Sequence, residues 1–259
     1  MDRREYLRTA ALAAGLAAAG GCDAVAPTTN QPTGTAPSGT PAVGSPASGG
    51  PGTGAPSARA LPPEVVTGPR DRAAVALTFH GQGDPVVIRR LLQILDSAGV
   101  QVTILAVGTW LAAQPGLVRP ILDAGHELGN HTENHKAIAH MSSGQAFTEI
   151  DACARRLKSL TGSIGAWFRP SQTQHSTPTI RAQAARVGYP TCLSYDVDSL
   201  DYTDPAPSVV VKAVMDTVRP GSIISLHFGH QVTVTAMPQL LAGLHGRGLR
   251  PVTVTELVR

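Results

Sequence analysis

Residues 125–135 read Gly125-His126-Glu127-Leu128-Gly129-Asn130-His131-Thr132-Glu133-Asn134-His135, and the interpretation of the whole chain depends on them. Within this stretch, His131 and His135 stand four residues apart, a spacing that places both imidazoles on one side of a helical turn. Neutral imidazole is the commonest protein ligand of transition metals, so the pair predicts a metal site. An isolated H-x-x-x-H also occurs as two ordinary histidines, so the rest of the sequence has to decide.

Length and charge set broad limits on the function. The chain has 259 residues, enough for one ordinary domain and an appendage. Its formal net charge is +3, and the cations are scattered instead of forming a basic run interleaved with aromatic residues. The charge pattern therefore gives no indication of a nucleic acid partner, and we expect none.

The first 22 residues have the composition of an export signal. Arg3 and Arg4 resemble the pair of a twin-arginine signal, and the apolar run over residues 9–19 is too short to span a bilayer. Small residues then precede Cys22, as in a bacterial lipobox, although Ala19 stands where such boxes usually have Leu. We expect an exported protein with a lipid anchor on Cys22, at the outer face of the cell membrane or in the cell wall. The alternative is a secretory peptide cleaved nearby, and no later segment is long and apolar enough to cross a membrane.

Residues 23–65 are dominated by Pro, Gly, Ser, Thr and Ala and show no apolar periodicity. Such a segment cannot bury a core, so we predict a disordered linker that lets the anchored domain reach its substrate. The folded domain is predicted over residues 66–259.

Apolar patterns in this domain predict alternating strands and helices. Strands are predicted over residues 73–79, 100–107, 167–169, 191–195, 222–226 and 251–255, and helices over residues 84–98, 117–124, 146–160, 177–187, 208–218 and 237–244. Alternation on this scale favours an α/β fold with a parallel sheet or barrel.

Polar, titratable residues end or directly follow four of the predicted strands. They are His80, Arg169, His227 and a group of aspartates, Asp196, Asp198 and Asp201. In parallel α/β folds the chemistry lies at the carboxyl ends of the strands. The sequence therefore predicts that these side chains share one face of the domain.

The order of these motifs resembles that of the polysaccharide deacetylases with a NodB-like domain, carbohydrate esterase family 4. The resemblance covers residues 73–257 and rests on the family's complete G-H-E-[IL]-[GA]-[NS]-H-[ST]-x-x-H pattern at residues 125–135, on Phe168-Arg169-Pro170, on Asp198-Ser199-Leu200-Asp201-Tyr202 (D-x-x-D-W with Tyr for Trp) and on Ile223-Ile224-Ser225-Leu226-His227. It implies a distorted, incomplete (β/α) barrel of the NodB type. It also implies a metal-dependent hydrolase that removes N-acetyl groups from an amino-sugar polymer, such as peptidoglycan or a chitin-like glycan. We expect it to be a monomer.

The resemblance also implies roles for single residues. His131 and His135 become ligands of a divalent metal, expected to be zinc, with cobalt or another transition metal as alternatives. Such a metal lowers the pKa of water toward about 7 and polarises the amide carbonyl. His227 becomes the general acid for the leaving amine, and Asp201 favours its protonated form by opposite charge. Arg169 is expected to pair with a carboxylate base.

The first motif departs from the family pattern. Where the family has T-F-D-D-G-P, with a base and a metal-binding Asp, this chain has Thr78-Phe79-His80-Gly81-Gln82-Gly83-Asp84. In one hypothesis His80 is a third metal ligand, and Asp84, carried inward by the flexible turn, is the base beside Arg169. In the other, His80 is the base and Asp84 completes the metal site. Electrostatics favours the first, because a cationic imidazole beside Arg169 and a dication is disfavoured. Asp84 before Pro85 also fits an ordinary helix N-cap.

Other residues have weaker indications. His126 is expected to be structural, and Cys153 and Cys192 are placed where a disulfide is permitted but not demanded. Three histidines are candidates for lining the cleft: His140, His175 and His230. Three aromatic residues are candidates for packing against sugars: Trp110, Tyr202 and Phe228. For Trp110, packing in the core is the simpler expectation.

Two other functions are compatible with the sequence. The chain could be a non-catalytic glycan-binding lipoprotein that lost turnover through the altered first motif, although the intact Arg169, Asp201 and His227 argue against this. It could also be a different carbon–nitrogen hydrolase on the same fold, acting on a small or peptide substrate.

Overall fold

The computed structural model describes residues 61–259, so the predicted export signal, Cys22 and most of the predicted linker lie outside the described residues. A short strand, β1 (Glu64–Val65), already pairs in parallel with Cys192–Leu193. The folded domain therefore includes the last two residues of the predicted linker. Within residues 61–259, none of the helices combines the length and the apolar character needed to cross a bilayer.

The strands of the domain pair in parallel, which confirms the predicted α/β fold. After β1 they are β2 (Ala74–Gly81), β3 (Thr103–Ala106), β4 (Glu127–Asn130), β5 (Cys192–Leu193), β6 (Val197–Asp198), β7 (Ile223–His227) and β8 (Arg250–Val252). They lie in the order β4-β3-β2-β7-β6, and β8 also pairs with β2. Phe168 forms single parallel bridges to Asn130 and to Cys192, which continue the strand path from β4 to β5.

Helices connect the strands. They are α1 (Pro85–Ser97), α2 (Gly108–Ala113), α3 (Val118–Asp123), α4 (Ser143–Thr161), α5 (Pro178–Val187), α6 (Pro207–Thr217), α7 (Gln231–Gly246) and α8 (Val254–Val258). Side-chain oxygens cap the first turns of α1, α4 and α5 at Asp84, Ser142 and Thr177. Each cap accepts a backbone N–H that the helix itself leaves unpaired, which fixes where the helix begins.

Strand β2 is buried on both faces and organises the core. Val75, Leu77 and Phe79 belong to the larger hydrophobic cluster, together with apolar side chains of α1 and α7. Ala74 and Ala76 belong to a second cluster on the other face of the strand. Burial on both faces explains why this strand is continuously apolar instead of alternating.

Some predicted elements differ from those observed. The predicted strand over residues 251–255 ends at Val252, because the Thr253 hydroxyl accepts from the Glu256 N–H at 3.2 Å and starts α8. The strand predicted around Phe168 is reduced to two single bridges. Helix α7 begins at Gln231, earlier than predicted, and continues through Pro238. Helix α2 was not predicted.

Candidate active site

Four histidines meet at the carboxyl ends of the parallel strands. His80 near the end of β2 lies opposite His227, the last residue of β7, in the strand register. Their rings stack with centroids 4.4 Å apart, and the ring of His131, after β4, lies 4.5 Å from that of His80. His135 follows at 4.9 Å from His131. The polar residues that end these strands therefore do converge on one face.

His131 and His135 lie on a loop, here called the histidine loop (residues 131–135), and the predicted helical turn is wrong. Thr132 and His135 adopt positive φ angles of 67° and 53°, which turn the chain back on itself. The Thr132 hydroxyl accepts from the His135 N–H at 3.2 Å, and the Asn130 side-chain oxygen accepts from the Thr132 N–H at 2.9 Å. These bonds, and not helical periodicity, bring the two imidazoles together.

The three histidines His80, His131 and His135 suit a metal ion. Each offers a ring nitrogen, and these atoms lie within 4.8 Å of one another. His131 is fully buried, and its Nδ1 lies 2.9 Å from the main-chain oxygen of Arg169, to which it donates. Its Nε2 then carries a free lone pair and has no hydrogen-bond partner in the part of the chain that the structure describes. A buried nitrogen left unpaired needs an explanation, and a divalent transition metal supplies one.

The electrostatics keeps these imidazoles neutral, as metal ligands must be. Burial, reinforced by His131 and by Arg169, holds the pKa of His80 well below its usual range. Burial and then His135 lower the pKa of His131 in the same way. The pKa of His135 is lowered by burial and by His227.

Gly81 leaves no room for the carboxylate that the family motif has beside His80. A Cβ atom there would lie 2.8 Å from Ile104 Cγ2 and 2.9 Å from Ala106 Cα, because β3 pairs closely with this end of β2. Strand β2 therefore offers the cluster an imidazole only. The His80 Nε2 lies 3.0 Å from the Ser225 hydroxyl oxygen, and with the proton on Nε2 the ring keeps a free lone pair on Nδ1.

Arg169 is fully buried, yet within residues 61–259 it forms no ion pair with a carboxylate. Its Nη2 donates to the Ser194 main-chain oxygen at 3.1 Å, whereas Nε and Nη1 have no partner. The guanidinium carbon lies 5.3 Å from the ring centroid of Tyr195. Burial lowers the pKa of Arg169 to about 10, although Tyr195 and Asp198 oppose this, so the side chain is cationic at neutral pH.

His227 and Asp201 form a close pair. The His227 Nδ1 lies 2.7 Å from Asp201 Oδ1, and Asp201 Oδ2 accepts from the His227 main-chain N–H at 2.8 Å and from the Thr233 hydroxyl at 2.6 Å. Burial alone raises the pKa of Asp201, but these hydrogen bonds outweigh it and lower the pKa overall. The carboxylate is thus ionised and fixes the imidazole with its Nε2 on the opposite side of the ring.

Asp84 is not carried into the site by the Gly81-Gln82-Gly83 turn. Its Oδ1 accepts from the Val86 N–H at 2.7 Å, and the residue is exposed at the N-cap of α1. This is the helix-cap interpretation that the sequence left open, and it follows from Pro85 at the first helical position. A role of Asp84 as base or ligand stays a prediction that its position does not support.

A cavity of about 460 Å³ opens over the histidines, and we call it the active-site cavity. It is lined by His80, Gln82, His135, Gln172, Thr173, Gln174, Tyr195, Asp198, Tyr202, His227 and His230. Asp198 is the only carboxylate among these lining residues. Asp198 belongs to the D-x-x-D pattern, from which a catalytic role was expected for Asp201 alone, and the three glutamines carry no sequence signal. A larger cavity of about 670 Å³ at the other end of the strands is lined by His245 and Glu256 but, within the described chain, by no cluster of three residues that could hold a metal ion.

The remaining candidates separate clearly. His230 lines the active-site cavity, whereas His175 binds Glu64, with 3.2 Å between Nδ1 and Oε2, and His140 is exposed outside that cavity. Tyr202 is half exposed and contacts the His227 ring at 5.2 Å. Phe228 and Trp110 are core residues, and for Trp110 this is the core packing that was expected from the sequence.

The two described cysteines do not form the permitted disulfide. Cys153 and Cys192 are both buried, free thiols. The Cys153 thiol contacts the Ala106 main-chain oxygen at 3.4 Å, on the α4 side of the sheet, and Cys192 lies in β5. Each is therefore packed into the domain and unavailable to the other.

Known proteins are similar to this chain. Residues 67–192 match the family model described as polysaccharide deacetylase. The chain is 29% identical to the peptidoglycan-N-acetylglucosamine deacetylase of Bacillus cereus, over 74% of this chain and 91% of that protein. It is 26% identical to the protein YlxY of Bacillus subtilis, of which it spans 61%.

Solved structures share the fold. The structure of T48 deacetylase with substrate superposes with a TM-score of 0.64 and 30% identity, over 71% of this chain and 89% of that one. A mutant of BA3943, a CE4 family pseudoenzyme, with restored enzymatic activity superposes with a TM-score of 0.72 and 25% identity, over 77% of this chain and 72% of that one. The wild-type BA3943 comes from Bacillus anthracis.

Proposed function

The chain belongs to the polysaccharide deacetylase family, and we propose that it is a metal-dependent hydrolase that removes N-acetyl groups from an amino-sugar polymer of the cell envelope. One observation carries the proposal: the unpaired, buried Nε2 of His131 lies among three histidines, next to the His227–Asp201 pair. A group of metal ligands and a neighbouring acid pair are two of the parts that amide hydrolysis needs. The relatives described as deacetylases support the same assignment.

In the proposed mechanism, His80, His131 and His135 hold the metal. When bound, a divalent metal acidifies a water molecule and polarises the acetyl carbonyl. Asp201 accepts from Nδ1 of His227, so the opposite nitrogen, Nε2, is the atom that gives a proton to the leaving amine. The imidazole of His227 stacks on that of His80, so the proposed acid lies beside the three-histidine group.

We assign the proton-accepting role to Asp198 in place of Asp84. Asp198 lines the active-site cavity, where it is the only carboxylate among the described lining residues, whereas Asp84 caps α1. The Asp198 Oδ1 is held by the Leu200 N–H at 3.0 Å, which fixes the carboxylate at the end of β6. Asp198 also lies close enough to the buried guanidinium of Arg169 to oppose the lowering of the pKa of that side chain.

The test is acetate release from N-acetylglucosamine oligomers and from peptidoglycan. The full chain is stripped of metal and then given zinc or cobalt, with His131→Ala as the matched variant. We expect activity to depend on the added metal in the parent chain and to be absent in the variant. Metal binding without acetate release from either substrate would contradict the proposed hydrolysis.

A second function, glycan binding without turnover, is favoured by one observation. The first motif offers no carboxylate beside His80, and Gly81 has no room for one. A CE4 family pseudoenzyme with the same fold supports this alternative. Binding of the oligomers with retained metal and no acetate release would identify it.

We also propose that the protein is exported and lipid-anchored through Cys22. The proposal is supported by the paired arginines, the short apolar run and the small residues before Cys22. Cys22→Ser should move the protein from the membrane fraction to the soluble fraction of a bacterial host. Equal fractionation of both forms would contradict the lipid anchor.

A further inference from the structure

The histidine loop has a backbone conformation that its own residues do not favour. Thr132 and His135 lie in the left-handed region, with φ angles of 67° and 53°. A β-branched residue such as threonine is among the least suited to that region. Strained backbone of this kind persists only where the surrounding structure fixes it. The positions of the two imidazoles of the loop therefore depend on the groups that hold the loop from outside.

Glu149 of α4 holds the loop by three hydrogen bonds. Its Oε2 accepts from the Asn134 main-chain N–H at 2.8 Å, and its Oε1 accepts from the Asn134 side-chain amide at 2.7 Å. Its main-chain oxygen accepts from the Glu133 N–H at 2.9 Å. A single residue of the 19-residue helix α4 thus binds the two residues that precede His135.

The carboxylate of Glu149 serves this contact and does not take part in the ion pairs of its own helix. The residue is only 8% exposed. The two arginines that follow it in α4, Arg155 and Arg156, pair with Asp151 and with Glu133 instead. A carboxylate only accepts hydrogen bonds, and such charge-assisted bonds from N–H donors are stronger than those between neutral groups. Both oxygens of this buried acid are therefore used to fix the loop.

Other groups anchor the two ends of the loop. The Asn130 side chain donates to the Ile150 main-chain oxygen at 2.8 Å, directly before the loop begins. The Gln172 side chain donates to the His135 main-chain oxygen at 2.7 Å, where the loop ends. The side chain of Glu149 acts between these anchors, at the residue directly before His135. A displacement of that residue therefore moves His135 first.

We propose that Glu149 is a positioning residue of the metal site: through Asn134 it holds His135 where the three histidines can share one metal ion. The inference rests on the proposed function, because it takes the same histidines as ligands. Glu149 does not line the active-site cavity, so its effect should appear in metal affinity and in the arrangement of the ligands. Groups that orient metal ligands commonly change metal affinity by about 10–100-fold.

Zinc affinity and the visible absorption spectrum of the cobalt(II) form of the full chain test this role. The spectrum reports the arrangement of the ligands around the metal, which a change in stability alone does not alter. Glu149→Gln keeps the size of the side chain but places an amide N–H against one of the two Asn134 donors. Asp151→Asn is the matched control, a carboxylate-to-amide change on the same helix at a residue that pairs with Arg155. Urea unfolding confirms that each variant is folded.

A double variant reverses the polarity of the contact. In Glu149→Gln/Asn134→Asp, the glutamine oxygen still accepts from the main-chain N–H of residue 134, and the glutamine amide donates to the new carboxylate. Asn134→Asp alone instead places two carboxylates against each other, which is unfavourable. Recovery in the double variant therefore separates a lost contact from a general loss of stability.

We expect Glu149→Gln to lower zinc affinity by about tenfold or more and to change the cobalt spectrum. The double variant should regain most of the affinity together with the spectrum of the parent, and Asp151→Asn should match the parent in both. Parent-like affinity and spectrum in Glu149→Gln overturn the inference. A loss that the double variant does not restore overturns it as well.

Asn134→Ala decides the question if Glu149→Gln does not fold. It removes the side-chain bond to Glu149 and leaves α4 unchanged, so zinc affinity should fall severalfold, and an unchanged affinity overturns the inference. Acetate release is scored separately. A parent chain that binds zinc but releases no acetate contradicts the proposed hydrolysis, whereas the comparison of metal affinities still decides the role of Glu149.

Discussion

The Nδ1 atom of His131 donates to the main-chain oxygen of Arg169 across 2.9 Å, and this bond joins the histidine loop to the segment that carries the buried guanidinium. The bond fixes the tautomer of His131, so that its free lone pair lies on Nε2, the buried atom without a partner. A ring held in this way is preorganised to bind a metal, because neither its rotation nor its proton has to change.

Removal of this ring should release the metal. His131→Ala is expected to lower zinc affinity by more than about 100-fold. Loss of a residue that only hydrogen-bonds to a metal ligand already lowers metal affinity by up to about 100-fold, and loss of the ligand itself should lower it further. Metal content after dialysis, measured by mass spectrometry, checks this. His245→Ala, which removes an exposed histidine of α7, should retain the metal. Equal metal content in the two variants would exclude His131 as a ligand.

Removal of the acid should affect the rate and not the metal. His227→Ala is expected to lower kcat by about 10²–10⁴-fold, the usual contribution of a positioned acid or base. Metal content should match that of the parent, since His227 lies outside the three-histidine group. His140→Ala, which removes an exposed histidine that does not line the active-site cavity, is the control. A His227→Ala variant that loses metal instead would make this residue a ligand.

The two candidate bases can be separated by paired variants. Asp84→Ser preserves a capping oxygen, so we expect nearly unchanged rate and stability, whereas Asp84→Ala should lose about 1 kcal/mol of unfolding free energy. Asp198→Asn should lower kcat by about 10²-fold or more with metal retained. Steady-state kinetics and urea unfolding supply both readouts. A large rate loss in Asp84→Ser would instead support Asp84 as the base.

Acid should weaken the domain through Asp201. Hydrogen bonds lower the folded-state pKa of this carboxyl below its ordinary value of 3.8, so its stabilisation is present above that pH and is lost as the pH falls through the folded-state pKa. At pH 6, Asp201→Asn should cost about 1–3 kcal/mol, the penalty for disrupting a buried hydrogen-bond group. Urea unfolding should show this difference shrinking below about pH 4. A difference in unfolding free energy between the parent and Asp201→Asn that does not vary with pH would contradict the lowered pKa of Asp201.

Strand patterns predicted the position of the site better than its details. The apolar run of β2 and the order of the strands were enough to place His80 and His227 at one edge, because parallel strands end together. The histidine loop could not be predicted, because its shape depends on positive φ at Thr132 and on the bond from Asn130. Asp84 before Pro85 fitted both a cap and a base, and only the position of α1 separates them. That no carboxylate of residues 61–259 pairs with Arg169 is likewise a property of the assembled fold.

The thiols of Cys153 and Cys192 should be inert in the folded domain. Burial raises the pKa of Cys153 to about 12 and that of Cys192 to about 11, so neither is a thiolate at pH 8. Both are also enclosed by the core, so a reagent has no access. In full-length Cys22→Ser protein, a thiol-reactive dye should therefore give no rapid labelling under native conditions and two labels per chain in urea without reductant. The absence of labelling in urea would reveal a disulfide, and rapid native labelling would show that one of these thiols is exposed.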